Sequence, residues 1–414
     1  MVGLNFVASW LGSRTACRLL HDRTSGGSLR AIRIFKLLNI GVIGFVFLSV
    51  FWLHWPTLVC LLFSSIGERL FPIPVLADVL LLLPALVMML TVAGFQHRAE
   101  QNRSHLKLDL RRYLVLRIRT ELAILLVPWF LLVMVSDIAT IFLPVQGNPL
   151  IEAIFSLALI IAIVVFGPTL LRLIWDTSSL PRGPLRKKLD NFCRAAGFRT
   201  RDILIWHTHH HLPNAAVVGL LPQIRYVLLT DALIAHCSDE EIEAIFAHEV
   251  GHIKHHHFYF YLVFALAFVC FYANAVDLLA RLELVQPLEN LIAAEPSEGQ
   301  TLILLGFTAL YWVFVFGFLS RRLEQQADLF SLRTISEPSA LIAGLQKLAA
   351  VSGTPQASGS WRHFSIARRV QFLKQALEDS SKADRKIRWT QIVQLLVIAL
   401  FVTAAVRLLL LTQA

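Results

Sequence analysis

Apolar residues run in long unbroken blocks along this chain, and polar residues gather between them. Stretches of about 20 apolar residues are the length that crosses the hydrocarbon of a bilayer. In lipid only a helix satisfies its own backbone hydrogen bonds over that distance. Seven such blocks are predicted: residues 37–63, 75–95, 122–143, 151–171, 258–276, 301–319 and 392–411. Pro84 and Pro128 interrupt the second and third, and Asp137 places a carboxylate within the third. The intervening segments alternate in charge. Residues 1–36 carry six Arg/Lys against one Asp, 320–389 carry twelve basic residues, and 96–121 and 172–257 are also Arg-rich. By contrast 64–74 hold one basic residue, 144–150 none, and 278–300 one against four Glu. With seven spans the four basic segments fall on one side, which the positive-inside rule makes cytoplasmic.

Composition fits this picture. Of 414 residues 56% are hydrophobic and only 16% charged, and mean hydropathy is +0.63. A soluble domain is about 45–50% apolar and about 25% charged, so a simple soluble enzyme and a disordered chain are both excluded. The net charge of +10 marks inner loops, and no recognition motif accompanies it to suggest a nucleic-acid partner. The 5 cysteines are scattered, so neither a disulfide framework nor a cysteine metal knuckle is read from them. The expected organisation is a basic cytoplasmic arm (1–36), four spans (37–171), a first catalytic segment (172–257), two spans (258–319), a second catalytic segment (320–389) and a last span (390–414). Neither inner segment is large enough to fold alone, so the two are expected to form one bipartite domain.

The chemistry lies in His248-Glu249-Val250-Gly251-His252. Two His four residues apart share a helix face and can hold one zinc, while the Glu beside the first can act as general base on an activated water. Ser238 and Glu241 form a capping box ahead of Ile242, Ile245, Phe246, Val250 and Ile253, which recur at helical spacing. A catalytic zinc needs a third protein ligand. Glu324 and Asp328 share a face at i, i+4 after the sixth span. On spacing alone they divide evenly between a metal pair and a solvated face with Arg321 and Arg322 as salt partners. The histidine clusters at 207–211 and 255–257 are read as polar residues at a strand end and at the membrane interface, with His257 facing away from His248 and His252.

Four blocks resemble the membrane gluzincin metallopeptidases that include the CAAX prenyl protease type 1 and the heat-shock protease HtpX. These are Asn214-Ala215-Ala216 with the strand at 226–230, His248–His252, Ser320-Arg321 with Glu324 and Ala327-Asp328, and His363 with Arg369. The resemblance implies a mainly α, polytopic fold with a small β-sheet in a cytoplasmic-face zinc protease domain. It implies zinc on His248, His252 and Glu324, Glu249 as catalytic base, and Asp328 orienting His248. His363 and Arg369 would then stabilise the developing oxyanion, and Asn214, Ala215 and Ala216 would bind an extended substrate. Ala216 and Phe364 depart from the Phe and Pro usual in the family. The expected activity is zinc metalloendopeptidase cleavage of membrane-associated or misfolded membrane polypeptides, in a lipid bilayer read as a bacterial inner membrane. CAAX-type processing of lipidated tails, a transporter and a pseudoprotease are the alternatives.

Overall fold

The computed structural model describes residues 2–21, 25–51, 55–61, 75–103, 108–142, 149–281, 305–352, 355–360 and 362–411. The chain packs as two compact units. One comprises Met1–Arg182, Arg199–His236 and Leu348–Pro355; the other comprises Gly183–Phe198, Cys237–Lys347 and Gln356–Ala414.

The first unit opens with α1 (Val2–His21), α2 (Ser25–Phe51) and α3 (Val75–Arg103). The basic arm thus holds a helix. Its small polar face, Asn5, Ser9 and Ser13, is buried, with Asn5 donating to the Met88 carbonyl at 3.2 Å and Ser13 to the Phe95 carbonyl at 3.0 Å. Helix α4 (Leu110–Arg117) leads through one wide π-turn (Ile118–Leu122) into α5 (Ala123–Phe142), and α6 (Pro149–Ile174) follows. The third expected span, 122–143, starts at a bend: Leu110–Leu122 and Leu126–Ser136 meet at 57°. Pro128 explains the bend, because its ring lacks an N–H and crowds the carbonyl one turn back, opening the helical ladder beside the π-turn.

Strands β1 (Thr177–Ser179), β2 (Asp202–Trp206), β3 (Ala215–Val218) and β4 (Tyr226–Thr230) form one sheet in the order β1-β2-β4-β3. The β2–β4 pair is parallel, and the two outer pairs are antiparallel. Every residue of β4 is buried, as an inner strand covered on both faces requires. Trp175 and Trp206 stack at 4.1 Å beside Leu204, Tyr226 and Leu228. The turn expected at 219–223 is present. Gly219 has φ +104°, and a Cβ there would fall 2.5 Å from the Ile224 carbonyl oxygen, so only glycine fits.

The second unit holds α7 (Pro184–Ala195), α9 (Asp239–Lys254), α10 (His257–Arg281), α11 (Gly317–Thr334), α13 (Ile366–Glu378) and α14 (Ser380–Leu411); α8 (Asp231–His236) belongs to the first unit and α12 (Ser339–Val351) runs across the division. A second π-turn, Tyr311–Phe316, leads into α11. Helices α10 and α14 lie side by side, and the Arg407 guanidinium donates to Asn274 Oδ1 at 2.6 Å.

Among the described residues three helices are long and apolar enough to cross a membrane: Val79–Arg98, His257–Ala275 and Ser380–Leu408, with the bent pair as a fourth candidate. They coincide with the second, fifth and seventh expected spans. Residues 52–54 and 62–63 of the first expected span, 143 of the third, 301–304 of the sixth and the side chain of Asp137 lie outside the described set.

Candidate metal centre

Helix α9 starts where the sequence placed it. Ser238 accepts from the Glu241 N–H at 3.3 Å, and Glu241 accepts from the Ser238 N–H at 2.8 Å. Asp239, Glu240 and Glu241 sit in the first turn, where the helix dipole favours negative charge. Ile242, Ile245, Phe246 and Val250 are buried, which fixes the rotation of α9 and turns His248 and His252 toward α11. The two helices approach closely at Gly251, where a Cβ would lie 3.1 Å from Ala327 Cα and 3.2 Å from Phe330 Cβ. Ser331 locks the crossing by donating to the Ala244 carbonyl at 2.7 Å.

This crossing brings three donor atoms together. His248 Nε2 and His252 Nε2 are 3.3 Å apart. Glu324 Oε2 lies 3.7 Å from the first, and Glu324 Oε1 lies 3.6 Å from the second. Tetrahedral zinc with bonds of about 2.0–2.1 Å separates its ligands by about 3.4 Å, so the triangle has the size of a zinc face. Two imidazoles and a carboxylate suit a first-row divalent metal ion, zinc among them. His248, His252 and Glu324 form the group suited to a metal among the described residues. Glu324 and Asp328 are 5% and 0% exposed. The solvated-face alternative for this pair is therefore removed.

The outer nitrogens of both rings are held. Asp328 Oδ1 lies 3.0 Å from His248 Nδ1, which draws the ring proton there and leaves Nε2 with its lone pair. Arg369 grips the same carboxylate, with Nε 3.0 Å from Oδ2, and Nη1 lies 3.9 Å from Glu324 Oε2. On the other side His252 Nδ1 lies 2.9 Å from His257 Nδ1, and His257 Nε2 lies 2.9 Å from Gln326 Oε1. This corrects the expectation for His257, which is 1% exposed and faces His252. The phase of α9 does not carry through to it. His256 adopts a left-handed φ of 56° and ends the helix, so α10 restarts the count. His363 Nδ1 lies 3.3 Å from Glu324 Oε1, with half its side chain exposed.

The electrostatics suit a ligand set. Burial pushes the His252 pKa down to about 4, aided by the neighbouring His248, so the ring is neutral and its lone pair available. Burial also opposes charge on Glu324, but the His363 hydrogen bond and the neighbouring His248 and Arg369 outweigh it and hold the carboxyl well below the usual range. Burial likewise opposes charge on Asp328, and Arg369 and His248 overcome it. Glu249 sits beside His248, half-buried, and its charge adds to those of Asp328 and Glu324 around the buried Arg369.

The strand residues belong to the other unit. Asn214 donates its N–H to Thr230 Oγ1 at 2.9 Å, and Ala215 and Ala216 pair with Leu229 and Leu228. Strand β3 is outermost in the sheet order.

A paired-histidine helix with an adjacent glutamate and a carboxylate from a second helix thus form a group suited to a metal, next to helices long and apolar enough to cross a membrane. Residues 179–377 match the model of Peptidase family M48. A CAAX prenyl protease 1 homolog of Arabidopsis thaliana is 31% identical over 142 residues, covering 32% of this chain and 33% of that protein. The Oryza sativa homolog is 29% identical over 220 residues, 49% of this chain and 48% of that protein. A Protease HtpX homolog of Aeropyrum pernix is 24% identical over 26% of this chain and 34% of its own length. The chain thus matches about a third to a half of these relatives' length. The fold resembles the crystal structure of S. mikatae Ste24p, with a TM-score of 0.56 at 18% identity over 90% of this chain and 96% of that one.

Proposed function

We propose that this chain is an integral-membrane zinc metalloendopeptidase that hydrolyses peptide bonds of membrane-associated or misfolded membrane polypeptides. The observation that carries the reading is the triangle of His248 Nε2, His252 Nε2 and a Glu324 oxygen, with edges of 3.3 to 3.7 Å. Those three residues would hold one zinc ion, which supplies a Lewis acid for carbonyl polarisation and water activation when bound. Glu249 takes the proton of the attacking water and delivers it to the leaving amine as the C–N bond breaks. Asp328 and His257 hold the two imidazoles in the tautomer that points Nε2 inward. Arg369 keeps Asp328 ionised, and with His363 it offers N–H donors to the oxyanion that develops on the scissile carbonyl. An extended substrate would add to the outer edge of β3 along Asn214, Ala215 and Ala216 through main-chain hydrogen bonds. The basic loop segments favour a catalytic face on the cytoplasmic side, and the inner membrane of a bacterium is the location assigned.

CAAX-type processing of lipidated tails is the second reading, favoured by the names of the plant relatives. The test uses purified full-length protein in detergent. One zinc per chain is expected by elemental mass spectrometry, with cleavage of an internally quenched hydrophobic peptide. Adding a prenyl group to the substrate cysteine separates the two readings, since only the second requires it. A zinc content near zero after loading, or cleavage indifferent to Glu249→Gln, overturns both.

A further inference from the structure

Outside the metal centre, α11, α13 and α14 of the second unit border an open pocket of about 380 Å³ lined by Arg321, Arg322, Arg368 and Lys386, with Phe318, Phe364 and Phe372 and the amides of Gln325, Gln371 and Gln375. No carboxylate is among the lining residues. The cations rest on aromatic faces: Arg322 lies 5.3 Å from the Phe318 ring centre, Arg368 5.3 Å from Phe364, Arg321 5.8 Å from Phe364, and Lys386 5.4 Å from Phe372. An aromatic face steadies a cation without neutralising it. Positive charge is therefore concentrated here, and the Arg322 guanidinium is pushed below its usual range by burial and by its neighbours Arg321 and Arg368. The amide side chains add hydrogen-bond donors. Cationic side chains and donor amides on one lining make a phosphate-sized anion site.

Its place on the helices says which phosphate. Lys386 lies in the first turns of α14, whose membrane-length stretch runs Ser380–Leu408. Trp389, one turn further, is 52% exposed and meets Phe318 edge-on at 6.1 Å. Exposed Trp beside Lys and Arg at the start of an apolar helix marks the headgroup level of a bilayer. Helix α11 likewise follows the apolar π-turn Tyr311–Phe316, where Val313, Phe314 and Val315 are exposed. The pocket thus opens where lipid phosphates sit.

We propose that the pocket of Arg321, Arg322, Arg368 and Lys386 binds the phosphate headgroup of an anionic phospholipid. The lipid would dock one helical turn from Glu324 on α11 and next to His363 through Phe364. The inference does not depend on proteolysis, because lipid retention is measured without a peptide substrate.

The experiment compares three full-length proteins: wild type, the pocket triple Arg322→Gln/Arg368→Gln/Lys386→Gln, and a control triple Lys382→Gln/Arg385→Gln/Arg388→Gln. The control removes equal charge from the neighbouring surface of α14. Each is mixed with phosphatidylglycerol or phosphatidylcholine in detergent, and retained lipid is counted by native mass spectrometry. Wild type and control are expected to retain phosphatidylglycerol selectively. The pocket triple is expected to lose about 100-fold in affinity, at about fivefold per cation, with its melting temperature within a few degrees of wild type. If the pocket triple melts early, the single variant Arg368→Gln, exposed on α13, is read instead, with about a fivefold loss expected. Equal retention by the pocket variants and wild type, equal loss in the two triples, or no selectivity for phosphatidylglycerol each overturns the proposal. Displacement of the lipid by inorganic phosphate at matched concentration also overturns it, since the site would then take a soluble anion.

Discussion

A buried glutamate and a half-buried one are each ringed by histidine and arginine, yet among the described residues only the first belongs to a group suited to a metal. In the second unit Glu324 faces His248, His252, His363 and Arg369. In the first, Glu100 accepts from Gln96 at 2.7 Å and meets His211 at 3.1 Å and Arg117 at 3.9 Å. The residue inventories are nearly the same, and the direction of the lone pairs differs. Around Glu324 two ring nitrogens point their lone pairs at the carboxylate's own target, because Asp328 and His257 hold the opposite nitrogens. Around Glu100 the neighbours are mainly donors that spend the carboxylate's lone pairs, and the single histidine offers one ring nitrogen. A metal needs converging acceptors, whereas a salt-bridge cluster needs acceptors matched to donors.

The largest effect that sharpens this contrast is at Glu249. Glu249→Gln keeps shape and leaves the three candidate ligands intact, so zinc content should stay near one per chain while peptide turnover falls about 10²- to 10⁴-fold. Glu324→Gln should instead lower the zinc content itself. Unchanged turnover in the first variant breaks the assignment of the base.

Next is the acid dependence of the other glutamate. Burial opposes its charge, but the His211 hydrogen bond, Arg117 and Gln96 override this and hold Glu100 at about 2 rather than 4.5. A carboxyl depressed in the folded state stabilises the fold fully above its unfolded pKa, and the stabilisation is lost as pH falls from about 4.5 through about 2. The size is roughly 3 kcal/mol. Wild type should therefore melt above Glu100→Gln at pH 6, with the gap shrinking as pH falls from about 5 through about 2. A strong zinc chelator should leave this gap unchanged. A gap that is constant with pH, or one that chelation abolishes, removes the distinction between the two clusters.

How much of this was legible beforehand depends on which residues the sequence ties together locally. The pair His248/His252 and the base Glu249 sit within one helix, and the cap at Ser238–Glu241 sets its start, so spacing alone defines them. Glu324 and Asp328 share a face by the same rule, but spacing could not tell a ligand face from a solvated one. That required the α9–α11 crossing at Gly251 and Ala327. His257 was misread because a left-handed residue at 256 breaks the helical phase, and non-glycine residues rarely signal that conformation in advance. The apolar blocks 75–95, 258–276 and 392–411 overlap the candidate membrane helices 79–98, 257–275 and 380–408, but apolar length does not reveal the polar turns at 380–391 that begin the last helix, and the 57° bend near Pro128 depends on how freed carbonyls are satisfied locally. The basic pocket draws on α11, α13 and α14, up to 68 residues apart in sequence (Phe318 to Lys386), and no window on the chain brings those cations together.

The support of the imidazoles comes next in size. His257→Phe keeps a buried ring but removes the acceptor 2.9 Å from His252 Nδ1. Zinc affinity should fall about 10- to 100-fold, read by competition with a fluorescent chelator, and the melting temperature of the metal-free protein should change little. Asp328→Asn should cost more in folding, since it leaves the buried Arg369 without its main partner. Affinity equal to wild type in His257→Phe would reduce that histidine to packing.

The smallest and most geometric test is Gly251→Ala. The added methyl would lie 3.1 to 3.2 Å from Ala327 Cα and from Phe330 Cβ and Cδ1, tighter than ordinary contact, so α9 and α11 must part by a few tenths of an ångström. Gly251 has a helical environment and no positive φ, so alanine favours the helix itself by about 1 kcal/mol. The two effects oppose each other in stability and nearly cancel, but they do not cancel at the metal. Parting the helices moves Glu324 away from two nitrogens on the other helix, whereas improved helicity moves nothing toward it. The expected outcome is a melting temperature close to wild type with zinc affinity several-fold weaker, while the Glu100 cluster keeps its acid profile. Zinc affinity that tracks stability instead, with both rising, would mean that the crossing tolerates the methyl and that the ligand triangle is set by side-chain rotamers more than by the approach of the two helices.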